Sequence, residues 1–447
     1  MSSKASAETT PFVRNWITSG VGKGWSIAFW FAIPVLLRLV FMPVSHYWDT
    51  QIWYSFFADI KFDHSPYDTL QTLSYETRSE RIYPYYEYFA YPPGILYLYY
   101  PVGKFYALLD PNLNYVLGRG FIPLISQIPW FFYFIFKIPV MLADVGIMAL
   151  LWKMGGKAVA QRYAYSPYVI MVMIWMFDPI MVFFMLLGVY TLERKNYDLS
   201  AISFALGTVI KFVPVFILPA ILLYLLRKNI TFISLLRYIA VFGITTGVLI
   251  FPYLRGTLFT LEFHGGRIGS GLSWQSIFNL VLAWAPQSMS ISYATALSAS
   301  IGSLFLLIGM LVVYAYTYRM NLTLNSTIVV TLLGYLAFTK IVNEVYALAV
   351  IPFILLELKT HTSAKKERFY KLFWSIPLGW AIINVPAYLG FAWISATFDA
   401  FNYPSLVGLS DLSDQKSPML IYFVVGSFYT LLCLFGIPLF SIKETKN

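Results

Sequence analysis

The sequence predicts an all-α, polytopic membrane bundle, and three observations predict it. Of the 447 residues, 59% are hydrophobic and only 12% are charged, and mean hydropathy is +0.67. A soluble domain carries about 25% charged residues, so a soluble globule is excluded. Apolar runs of spanning or near-spanning length recur from end to end, separated by short loops that hold most of the Lys and Arg. The net charge of +10 is therefore read as a positive-inside bias, and no nucleic-acid partner is expected. Aromatics at 19% suit interfacial belts. Cys433 is the lone cysteine and lies in an apolar run, which excludes an internal disulfide and argues against thiol chemistry.

Residues 1–24 read as a basic cytoplasmic tail and 25–441 as one transmembrane domain, with 442–447 as a second cytoplasmic tail. The first span is expected at 26–44. Residues 45–120, rich in Asp and Glu, form a first external loop too long for a plain connector. Within it, Tyr91-Pro92-Pro93 starts a helix over 93–109, because proline fixes φ and lacks a donor. That helix is expected along the membrane interface. Alternation then places spans at 121–152, 163–177, 179–192, 198–211, 213–226 and 232–252. A second external loop, 253–290, is Gly-rich, with a re-entrant piece at 274–284. Spans at 292–316, 326–339, 345–357, 372–392 and 418–441 complete a scheme of about twelve, with both termini inside.

This scheme delivers charged residues from distant segments to one face. Asp49 lies just past the first span, in His46-Tyr47-Trp48-Asp49-Thr50, and Asp178, Lys211, Lys340 and Glu344 fall at the outer ends of spans. His264 and Arg267 sit in the Gly-rich loop on the same side. Asp144 is mid-span and expected to pair with Lys137, two turns away. One acid among several cations suits transfer of a sugar from a polyprenyl phosphate to a hydroxyl. The departing lipid phosphate needs positive charge, which Lys211, Lys340, Arg267 and His264 can supply. The attacking hydroxyl needs one base, for which Asp49 is the candidate. No second carboxylate placed as a nucleophile is recognisable, so inversion is preferred over retention.

Taken singly, each feature has a plainer explanation. An acid beside a span is usually a solvated loop residue, a lysine at a helix end usually snorkels to headgroups, and Asp178-Pro179 is a common turn. Their convergence carries the reading. No Walker, GxGxxG, CxxC or HExxH sequence is present, and no two-His-plus-carboxylate cluster marks a metal ligand set.

At these residues the chain resembles the GT-C superfamily of polyprenyl-phosphate-sugar glycosyltransferases, most of all the catalytic-subunit family of GPI mannosyltransferase I and its prokaryotic relatives. That family carries an acid-x-acid pair outside its first span and then Ser-Pro-Tyr. Here Asp49 matches the second acid, Ser65-Pro66-Tyr67 follows at the corresponding spacing, and Tyr47 replaces the first acid. Tyr91-Pro92-Pro93 is similar to the aromatic-Pro-Pro entry of related glucosyltransferases. Ser166-Pro167 with Asp178 and Lys211-Phe212-Val213-Pro214 resemble further family elements, as does the segment from Thr339 to Tyr346. Glu344 and Val345 depart from the pattern in that last segment. The resemblance spans about residues 25–355. It implies a helical bundle with a large first external loop, a dolichyl- or polyprenyl-phosphate hexose donor, with mannose foremost, and a lipid-linked or glycan acceptor. Tyr67, Tyr91, Asp178 and Glu344 are the expected substrate contacts. A divalent cation, Mg or Mn, is left open, although Tyr47 removes half of the acid pair that would bridge it.

Membrane lipids are expected partners, and a small accessory membrane subunit is left open. The site would face outside the cytoplasm, at the plasma membrane of a prokaryote or the endoplasmic reticulum of a eukaryote. Two other classes stand as alternatives: a transporter or flippase of a lipid-linked sugar, which would put its polar residues at mid-membrane, and a structural subunit of a glycosylation complex.

Overall fold

The structure, a computed structural model, describes residues 20–42, 47–67, 89–116, 128–172, 177–267, 269–284, 291–384 and 416–444. These residues are mostly helical, and four of their helices are long and apolar enough to cross a membrane.

Helix α1 (Gly20–Phe41) leads to α2 (Tyr47–Lys61), inside the stretch expected as an external loop with interfacial helices. Helix α2 is not interfacial. All residues from Ile52 to Ile60 are buried, Ser55 and Asp59 included. A helix buried on every side shows no apolar stripe, so periodicity does not mark it. Helix α3 (Gly94–Leu109) begins after Pro92-Pro93 as expected. It buries Ile95, Tyr99 and Tyr106 and exposes Tyr97, Phe105 and Leu108, so one side packs on the bundle and the other stays apolar and uncovered.

Helix α4 (Trp130–Gly155) spans 26 residues and stops at Gly156, followed by α5 (Lys157–Ala164) and α6 (Pro167–Val172). The expected single span 163–177 is thus broken. Pro167 lacks the donor that would continue α5 and pushes Ser166 out of helical geometry. Helices α7 (Asp178–Glu193) and α8 (Tyr197–Ile210) follow, then a 3₁₀ turn, Val213–Phe216, and α9 (Leu218–Arg227). The expected span 213–226 is therefore a turn plus a ten-residue helix, too short to cross a bilayer alone.

Helix α10 (Phe232–Ile250) starts on Thr231, whose side chain accepts from Ser234 N, a favourable cap. After a 3₁₀ turn at Phe251–Tyr253 the chain stays helical as α11 (Leu254–Gly266). The second loop expected from residue 253 therefore opens as a continuation of a span: 35 residues, Phe232–Gly266, are apolar and helical. Beyond β1 (Ser270–Gly271) and a 3₁₀ turn at Trp274–Ser276 lie α12 (Ile277–Trp284) and α13 (Ile291–Met320). Helix α14 (Leu324–Phe338) is capped by Thr323 and buried over most of its surface. Then come β2 (Ile341–Val342), a 3₁₀ segment Glu344–Ala349, α15 (Ile351–Thr360), α16 (Ala364–Asn384) and α17 (Lys416–Leu439).

Packing follows two chains of neighbours: α4, α7, α8 and α10 in one, α13, α14 and α17 in the other, with α9 touching both α13 and α14. The ends of the bundle differ in character. At one end, Arg162 pairs with Glu367, Arg227 donates to the carbonyls of Thr317 and Leu322, and Lys228 pairs with Glu444. Residues 441–444 close this end: Thr323 N donates to Ile442 O and Glu444 N to Asn321 O. The opposite end gathers the residues of interest.

Between them lies a fully buried ion pair. Arg38 Nε donates to Asp144 Oδ2 at 2.5 Å, Tyr163 donates to Asp144 Oδ1 at 2.8 Å, and Arg38 also reaches the carbonyls of Pro34 and Ala164. The expected partner, Lys137, donates instead to the Met42 carbonyl. Arg38 comes from a neighbouring helix, which spacing along α4 alone does not reveal.

Candidate functional site

Asp178 and Lys211 form the first half of the site. Asp178 opens α7 with Pro179 behind it, and an acid suits the positive end of a helix. Lys211 closes α8: its backbone turns extended, at φ −158° and ψ 137°, because Pro214 cannot supply the next ladder donor. The two side chains meet, Lys211 Nζ donating to Asp178 Oδ1 at 2.6 Å. The ammonium also lies 4.2 Å from the Tyr346 ring centroid, a favourable cation–π distance. Asp178 is 2% exposed. The residue lines a small cavity with Val213, Leu332, Tyr335, Leu336 and Tyr346.

Lys340 forms the second half, and the Gly-rich segment is sewn to it. Strands β1 and β2 run parallel, with Ser270 opposite Ile341 and Gly271 opposite Val342. Ser270 N donates to Lys340 O at 2.9 Å and Leu272 N to Val342 O at 2.8 Å. Gly271 takes φ +69°, and a Cβ there would stand 2.3 Å from Val342 O, so both its backbone angle and its clearance demand glycine. Lys340 is 8% exposed, and its Nζ donates to the Gly265 carbonyl. Burial, and then the charge of Arg267, pull its pKa below the ordinary lysine value.

His264 joins the halves. Its Nε2–H donates to Ala90 O at 2.9 Å, and the charges of Arg267, Lys211 and Lys340 all reach its ring. Arg267 lies 5.7 Å from the Phe263 ring centroid. The four expected phosphate-binding residues thus share one end of the bundle.

The first loop is fastened beside them. Tyr67 is buried, and its hydroxyl donates to Tyr91 O at 2.5 Å; Thr260 of α11 reaches the same carbonyl. The Tyr91 ring stacks on Trp53, centroids 4.9 Å apart, and meets Phe177 edge-on at 5.0 Å. Gly94 lies against the α8 backbone, where a Cβ would stand 2.5 Å from Val209 O. Asp49 stands in the first turn of α2, one turn before Trp53; its side chain lies outside the described residues. Glu344 is half-buried, its carbonyl accepting from the Tyr168 hydroxyl. Tyr67, Tyr91 and Glu344 therefore stand partly as braces of the site.

Sequence reasoning missed Trp53, Phe177 and the placement of Tyr346 beneath Lys211. Trp53 carried a usable signal, since it lies four residues past Asp49. Phe177 precedes Asp178 but offers no pattern. Among the described residues no group of three or more His, Cys, Asp and Glu could hold a metal ion.

The fold defines a mostly helical, membrane-associated protein. No protein-family model matches this chain, and no curated protein matches it.

Proposed function

We propose that this chain is a membrane-embedded inverting glycosyltransferase with a GT-C-like bundle of about twelve spans. It moves a hexose, with mannose foremost, from a dolichyl or polyprenyl phosphate to a lipid-linked glycan or related acceptor outside the cytoplasm. One observation carries the reading: the positive charges of Arg267, Lys211 and Lys340 converge on His264. They do so at the end of the bundle where α2, which bears Asp49, packs through Trp53 against Tyr91.

The acceptor oxygen attacks the anomeric carbon as the bond from that carbon to the phosphate oxygen breaks. Asp49 takes the acceptor proton, and the lipid phosphate leaves with its bonding pair, its charge met by Arg267, Lys211 and Lys340. His264 donates to Ala90 O, so it anchors the first loop beside those charges.

The test incubates purified protein with radiolabelled polyprenyl-phosphate mannose or glucose and membrane lipid extract. A labelled glycolipid with inverted anomeric configuration supports the reading. Movement of labelled lipid between leaflets of proteoliposomes, with no product formed, overturns it in favour of a flippase.

A further inference from the structure

We infer that Gly302 and Gln275 are positioning residues for Lys340, and that together they set where its ammonium stands in the phosphate site. This rests on the glycosyltransferase reading above. Lys340 lies just past the end of α14, where the last carbonyls of a helix lack partners within it. The segment from Ser270 to Gln275 supplies those partners. Gln275 Nε2 donates to Phe338 O at 3.0 Å, and Ser273 Oγ donates to Thr339 O at 2.9 Å. The strand bonds to Lys340 O and Val342 O continue the same row. The backbone around the lysine is thereby fixed, and its side chain is what remains to be set.

Gly302 of α13 sets it. A Cβ there would stand 2.4 Å from Gln275 Oε1 and 3.2 Å from both Cβ and Cδ of Lys340, so the amide and the lysine stem share the space that glycine leaves. Glycine inside a helix costs stability relative to alanine, and this clearance is what it serves here. Gln275 cannot give way. It is fully buried, its amide is tied to Phe338 O, and its N–H donates to Ser273 Oγ at 3.2 Å. The neighbouring Trp274 N–H donates to Thr430 Oγ1 of α17 at 3.2 Å, which pins the turn to a further helix. The lysine stem is therefore the movable party. A side chain at 302 pushes Lys340 Nζ off the Gly265 carbonyl that holds it, and an unanchored residue at 275 lets it drift.

The experiment uses the full chain in lipid nanodiscs. Radiolabelled polyprenyl phosphate, which carries no sugar, is the binding probe, and polyprenyl-phosphate mannose or glucose is the transfer substrate. Gly302→Ala is expected to raise Kd for the probe and KM for the donor about tenfold, with a smaller change in kcat. In a Lys340→Met background the same substitution is expected to change Kd by less than about twofold, because the side chain through which it acts is gone. If Gly302→Ala fails to fold, Gln275→Met takes its place in both backgrounds, since it keeps the side-chain length and removes the bond to Phe338 O. Losses that add in full across the two backgrounds overturn the inference and leave the transferase reading standing, because a general loosening of the bundle does not depend on Lys340. A Kd unchanged by Gly302→Ala and by Gln275→Met does the same. Wild-type protein that neither binds the probe nor transfers sugar overturns both.

Discussion

Lys211 Nζ lies 2.6 Å from Asp178 Oδ1, so two residues expected to meet separate parts of a substrate are bonded to each other. The ammonium is already partly neutralised within the fold. Lys340 and Arg267 are then left with the larger share of the positive charge around His264.

Removing one partner of this pair should cost more than removing both. Asp178→Ala leaves a shielded ammonium without its counter-charge, at a cost of about 3 kcal/mol. Asp178→Asn with Lys211→Gln should recover most of it. Thermal unfolding followed by size-exclusion chromatography checks this; a double variant no better than the single one refutes the coupling.

Asp49→Asn should lower kcat by about 100- to 10,000-fold, the usual contribution of a general base, with donor binding and folding retained. A purified Asp49→Asn protein working near the wild-type rate would mean the base lies elsewhere.

Lys340 sets a pH dependence. Its pKa is lowered in the fold by burial and then by Arg267. The protonated lysine therefore opposes stability below its folded pKa, and that cost fades as pH rises toward the unfolded value of about 10.4. Donor use runs the other way, since losing the proton removes the charge. Activity should fall with rising pH before the ordinary lysine range is reached. Lys340→Arg, charged throughout, should push that fall to higher pH; an unmoved limb in the kcat/KM profile would sink this assignment.

Gly271→Ala should cost about 1–3 kcal/mol through its backbone conformation. It should also part β1 from β2, so that KM for the donor rises more than kcat falls. Matched kinetics in the variant and the parent protein would show that the ladder does not hold the lysine in place.

Arg38→Met should destabilise the fold by about 3–5 kcal/mol, because Asp144 is left buried without its counter-charge. Adding Asp144→Leu should restore much of the loss. Thermal midpoints of the three proteins decide it.

The membrane class, the start of α3 at Pro92-Pro93 and the caps at Thr231 and Thr323 were legible, because local chemistry decides them. So was the gathering of Lys211, Lys340, His264 and Arg267, since each stands at or just past the end of an apolar helical run. Helix α2 was not, because a helix enclosed on all sides carries no stripe. The α11 continuation was missed because Gly265 and Gly266, which close it, read as open loop. The partners of Asp144 and Lys211 come from other helices, and a sequence lists neighbours along a chain, not across a bundle.

The helical stretch Phe232–Gly266 has 35 residues, roughly 52 Å at 1.5 Å each, against a hydrocarbon core of about 30 Å. His264 rides near its far tip, so lipid acyl-chain length sets how this rod leans and how high the imidazole stands above the headgroups. Bilayer thickness thereby becomes a lever on the geometry at this end of the bundle.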